Sequence, residues 1–114
     1  MDNVVKYGMS VVGGNLRLVR NGNFDGLREK IKKESERKFG PGAGYLDDQT
    51  FETMLRSAAE SLERSKFFWW RMGDALRIFE YLGDSERARL LHDRIKSYER
   101  NYIEQEDLLR DIII

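Results

Sequence analysis

The chain holds one histidine, His92, with Arg87 five positions before it. An imidazole titrating near neutrality suits general acid–base work, and a guanidinium stabilises charge developing on a phosphate. Arg87 and His92 are therefore the one candidate catalytic pair, His92 for proton transfer and Arg87 for holding negative charge. The competing reading puts His92 on the flank of an apolar helix seam as a partly buried filler. Other chemistries lack residues. There is no cysteine, which excludes thiol catalysis, disulfides and zinc fingers. Glu60 and Glu63 can share a helix face, but a di-metal carboxylate bundle needs repeated Glu-x-x-His pairs, and the residue three before His92 is Arg89. Those glutamates read as a solvated face. Asp74, beside Gly73 and close to a run of aromatics, is the one carboxylate that stands out, as a special group or as a helix cap. Gly40-Pro41-Gly42-Ala43-Gly44 lacks the lysine and hydroxyl of a phosphate loop. No metal and no cofactor are expected.

The elements that must position these residues read as helices. Phe51, Leu55, Ala58, Leu62, Ser65, Trp69, Met72, Leu76 and Phe79 alternate at spacings of four and three, an apolar seam interrupted only by Ser65. One helix of that length is unusual, so two are expected, roughly Asp48–Ser65 and Phe67–Leu82. Asp47 or Asp48 caps the first. Gly83 suits the left-handed end of the second, and Asp84 caps a third helix carrying Ala88, Leu91, Ile95, Tyr98, Tyr102 and Leu109, with Gln105 in the remaining seam position. The last two form an antiparallel hairpin. Phe24–Phe39 reads as a further, strongly polar helix capped by Asn23 or Asp25, whose apolar stripe of Leu27 and Ile31 fades into Ser35. The glycine-rich run after it reads as a linker or flexible loop. The first 22 residues support two readings. Val5, Tyr7, Met9 and Val11 alternate before Gly13-Gly14, as in a β-hairpin. A short helix must absorb Gly8, Gly13 and Gly14 at about 1 kcal/mol each.

Phe67, Phe68, Trp69 and Trp70 are consecutive, so on a helix they point around its whole circumference and cannot all face one neighbour. They are either the centre of the core or, with Arg71, a partner-binding surface rich in the residues favoured at interface hot spots. Ile112-Ile113-Ile114 is a second apolar group needing cover.

Charge is divided unevenly. Residues 1–46 hold nine Lys/Arg and five Asp/Glu, whereas residues 47–114 hold eleven and fifteen, and the two excesses cancel. The positive excess centres on Arg17, Arg20, Arg28, Lys30, Lys32, Lys33, Arg37 and Lys38, a candidate stretch for tracking a phosphate backbone. Glu29, Glu34 and Glu36 are interleaved with it, the pattern of an ion-paired face. The intramolecular alternative docks the basic part on the acidic hairpin.

Two resemblances attach to these segments. Asn21-Gly22-Asn23-Phe24-Asp25-Gly26-Leu27, and Phe79-Glu80-Tyr81-Leu82-Gly83-Asp84 leading to Ala88, resemble the turns of tetratricopeptide helical hairpins. That resemblance implies a protein- or peptide-binding solenoid. Arg87-Ala88-Arg89-Leu90-Leu91-His92 resembles the signature of the HEPN helical ribonucleases. It implies RNA cleavage by the arginine and histidine of two protomers.

With 114 residues the chain is long enough for one core. At 35% charged and 11% aromatic it is a folding chain rather than a disordered polyampholyte, and cysteine-free high charge fits a thermophile. No apolar run spans a membrane and no leader is read. The expectation is a mainly α, single-domain helical bundle: a basic segment and helix at 1–39, a glycine-rich loop at 40–46, and a helical hairpin at 47–114. Its expected role is a cytoplasmic, non-enzymatic interaction or assembly module, most simply a homodimer, self-associating through the aromatic and C-terminal helices. The alternatives are a nucleic-acid-binding accessory subunit and a HEPN-like ribonuclease.

Overall fold

A computed structural model describes residues 3–64 and 71–113, with side chains described as far as residue 100. Six helices follow one another, with no strand among the described residues: α1 (Asn3–Gly14), α2 (Leu16–Arg20), α3 (Phe24–Phe39), α4 (Asp48–Glu63), α5 (Arg71–Tyr81) and α6 (Ser85–Ile113). The fold is a mainly α bundle.

The cap chemistry acts where the residue types place it. The Asn23 side chain accepts from Gly26 N at 2.9 Å, Asp47 from Thr50 N at 2.7 Å and Asp84 from Arg87 N at 3.3 Å, each satisfying a backbone donor that the first turn leaves free. Gly22 (φ 70°) and Gly83 (φ 74°) end α2 and α5 in the left-handed conformation that glycine adopts at little cost. Phe24 and Tyr81, from the two turn regions, stack with ring centroids 4.0 Å apart.

The N-terminal segment takes the helical reading, and the β-hairpin reading is withdrawn. The alternation of Val5, Tyr7, Met9 and Val11 is not the buried set. The buried residues of α1 are Gly8, Val11 and Val12, one helical face. Gly8 hid that periodicity, because it is the contact point: a Cβ there would lie 2.4 Å from Met54 Sδ on α4. Close packing of α1 on α3 and α4 offsets the propensity cost of its glycines. Asn15 then breaks the chain direction, its side-chain amide donating to Val11 O at 2.7 Å, and α2 follows.

The core gathers Val12, Leu27, Ile31, Met54, Leu55, Met72, Ile78, Phe79 and Leu91 among others, and all six helices contribute, α2 through Val19 and the described side chains of α6 through Ala88 and Leu91. α5 packs between α4 and α6. Arg56 meets Asp84, Arg87 meets Glu60, and Arg94 meets Glu63, so α6 runs in the same direction as α4 and passes its end. α4 ends at Glu63 and α5 is described from Arg71, so Phe67, Phe68, Trp69 and Trp70, and the expected break near Ser65, lie outside the described residues.

The glycine-rich run is not a loose linker. Two turns close at Ala43 N–Gly40 O and Tyr45 N–Gly42 O, Gly44 and Leu46 are buried, and Arg28 donates to Leu46 O at 2.6 Å. Ser35, where the apolar stripe fades, is nonetheless buried, with its hydroxyl unpaired among the described residues.

Candidate functional site

Arg87 and His92 do not converge within one chain. Five positions separate their directions by about 140° around α6. Arg87 turns inward: Nη1 donates to Glu60 at 3.1 Å and Nη2 to Glu63 at 3.0 Å, with the guanidinium 4.7 Å from the Phe79 ring centroid. Arg94 Nη1 donates to the other oxygen of Glu63 at 3.1 Å. Glu60 and Glu63 are thus half-buried acceptors rather than a solvated face, because α6 lies across them. His92 is exposed, 3.9 Å from Asp93, rather than a partly buried seam filler; Leu91 alone takes the inward place at that turn. The five groups Glu60, Glu63, Arg87, Arg94 and Tyr98, with Arg64, line a polar groove of about 590 Å³ between the α4 end and α6.

The basic stretch is largely ion-paired within the molecule. Arg20 bonds Asp74, Arg28 bonds Asp48 at 2.6 Å, Lys32 bonds Glu29 at 3.4 Å, Lys30 lies 3.9 Å from Glu34, and Arg37 bonds Glu34. The first two pairs join the basic part to the acidic half. Bonding to Asp74 raises the Arg20 guanidinium above its ordinary range, and Tyr7, with Glu34 beside it, does the same for Arg37. Lys38 is held differently, with its ammonium 4.4 Å from the Tyr7 ring centroid. Arg17 and Lys33 have no ion pair among the described residues.

Of the expected partner-binding group, Arg71 opens α5 and is exposed. The more extensive uncovered feature is α6 itself. Its 29 residues make a rod of about 44 Å at 1.5 Å per residue. Leu91 is buried, Ile95 is half-buried, and every residue from Lys96 to Arg100 is exposed, while the helix continues to Ile113. The molecule measures 63 Å along its longest axis and 29 by 25 Å across, consistent with an arm outrunning a small body.

Two features escaped sequence reasoning. Lys6, Tyr7 and Ser10 on α1 form a cleft with Lys38 and Phe39 at the end of α3, a pairing visible only once the first segment is known to be helical. Met9 and Gly13 form a more apolar groove with Ala58 and Leu62 of α4. No protein-family model, curated protein or solved structure matches this chain.

Proposed function

We propose that this protein is a non-enzymatic interaction module that self-associates through the α6 arm, with a homodimer as the simplest form. The observation that carries this reading is the run Lys96–Arg100 of α6, exposed at every position on a helix that continues to Ile113. In sequence the seam of Leu91, Ile95 and Tyr98 goes on through Tyr102, Gln105 and Leu109 at coiled-coil spacing. An amphipathic helix gains most of its stability by burying its apolar stripe, so an arm of this length calls for a partner. A second copy brings the same spacing, which is what knobs-into-holes packing requires. The consecutive aromatics Phe67–Trp70 and Arg71 belong to the same proposed surface. Arg87 is bound by two carboxylates, which supports a role in fixing α6 to the body rather than in chemistry. No described helix is long and apolar enough to cross a membrane, and we assign the module to the cytoplasm.

Sedimentation velocity over a concentration series tests the proposal. The wild type is expected to sediment as a dimer, and Tyr98→Glu as a monomer of unchanged helix content by circular dichroism. A wild-type monomer at high micromolar concentration would overturn it.

A further inference from the structure

We propose that the cleft between α1 and the end of α3 binds single-stranded nucleic acid, stacking one base on Phe39 and holding the adjoining phosphates with Lys6 and Lys38. The cleft has a volume of about 390 Å³ and is lined by Asn3, Lys6, Tyr7, Ser10, Lys38 and Phe39. That is within the range of small-molecule sites and suits one nucleotide unit.

Three observations converge there. Phe39 is 41% exposed, and its ring is held in place: Tyr7 packs edge-on against it at 5.6 Å and 85°. A fixed, exposed ring is what a base needs for stacking. Secondly, the charge at this place is not neutralised. Lys38 lies over the rings of Tyr7 and Phe39, at 4.4 and 5.9 Å, rather than on a carboxylate, and Lys6 makes no ion pair among the described residues. Elsewhere along the basic stretch Arg20, Arg28, Lys30, Lys32 and Arg37 have carboxylate partners, and Arg17 and Lys33, which have none among the described residues, line no cleft with an exposed ring. Thirdly, among the described residues the carboxylates next to Lys38 on α3 are occupied or directed away. Glu34 accepts from Arg37 and Tyr7, and the Glu36 side chain lies against Gly44. Ser10 adds a hydroxyl on the same face. Aromatic and cation together select a single strand, whose bases present open faces; a duplex hides them, and an acidic peptide has nothing to stack.

The test is fluorescence anisotropy with a labelled oligouridine of about twelve nucleotides, a typical single-strand site size. Arms use the same length as RNA duplex, uridine monophosphate as competitor, and a polyglutamate peptide. The wild type is expected to bind the single strand at low salt, better than every other arm, with a log–log salt slope of about −1.4, the value for two phosphates. Phe39→Leu, which keeps the packing on Tyr7, is expected to weaken binding about tenfold. Lys6→Gln is expected to weaken binding and flatten the slope, whereas Lys96→Gln on the α6 arm leaves both unchanged. Absence of single-strand binding at low salt overturns the proposal. So does equal binding of polyglutamate or duplex, binding of the mononucleotide alone, or equal loss in Lys6→Gln and Lys96→Gln.

Discussion

Arg20 and Asp74, 54 residues apart in sequence, form a forked pair: Nε reaches Oδ1 at 2.9 Å and Nη2 reaches Oδ2 at 3.1 Å. The two ends differ in environment. The Asp74 side chain is 5% exposed and the Arg20 side chain 56% exposed. Removing either member therefore has unequal consequences. Asp74→Ala leaves a guanidinium that water can solvate. Arg20→Ala leaves a carboxylate inside the bundle without its donors, and an uncompensated buried charge is the costlier outcome. Urea denaturation should find Arg20→Ala the more destabilised variant, with Arg20→Lys intermediate because it keeps charge but loses the fork. Equal loss in the two alanine variants would show that the carboxylate is effectively solvated.

Glycine-to-alanine changes on α1 should have opposite signs at two positions. At Gly8 the new methyl would meet Met54 Sδ at 2.4 Å and Cε at 2.6 Å, and Met54 is fully buried. Overpacking at such a site outweighs the helix-propensity gain, and a net loss of about 1–2 kcal/mol is expected. At Gly13 a methyl meets nothing within 4 Å among the described residues, and the position is exposed. Gly13→Ala should gain about 0.5 kcal/mol by reducing the freedom of the unfolded chain. Chemical denaturation of the two variants measures both, and matching signs would contradict the α1–α4 packing.

Ser35 sits at 1% exposure on α3, and its hydroxyl has no hydrogen-bond partner among the described residues. A buried polar group without a partner costs stability, and alanine is also the better helix former. Ser35→Ala is therefore expected to raise unfolding free energy by about 1 kcal/mol. A loss on substitution would mean that the hydroxyl is bonded in solution.

The features legible in the sequence were those with a local cause. Asn23, Asp47, Asp84 and Gly83 act within one turn of where they stand, so residue type placed the α5–α6 turn at Gly83-Asp84 and narrowed the starts of α3 and α4 to Asn23 or Asp25 and Asp47 or Asp48, of which Asn23 and Asp47 make the cap bonds. The seam of α6 was readable as far as the body covers it, at Ala88 and Leu91. What was hidden depends on topology. The partner of Asp74 lies on α2, a helix of five residues whose place against α5 no periodicity announces. Gly8 carries no apolar signal although it is where α1 packs against Met54 of α4. The pairing of Lys6 and Tyr7 with Phe39 required knowing that α1 crosses α3. The charge asymmetry was legible as a sum but not as pairs, since only the fold decides that Arg20 and Arg28 meet the acidic half while Lys6 meets no carboxylate among the described residues.

Acid should weaken the fold through its helix caps. The Thr50 hydroxyl and backbone N–H hold the Asp47 carboxyl below its ordinary range, and Arg56, followed by the Arg87 backbone, does the same for Asp84. A carboxyl whose folded pKa lies below its unfolded value near 3.9 favours the folded state when ionised. That contribution is complete above the unfolded value and disappears as pH falls through the lower folded one. The melting temperature should therefore be flat above about pH 5 and fall steadily below about pH 4. Asn is itself a good cap, so Asp47→Asn should change the neutral-pH melting temperature little while flattening part of the acid decline. Asp84→Asn also loses its charge opposite Arg56, bonded at 3.0 Å, and should lower the neutral-pH melting temperature as well as flatten the decline. Thermal melts of the three proteins from neutral to acid pH measure these slopes. An acid decline as steep in both variants as in the wild type would assign the titration to other carboxylates.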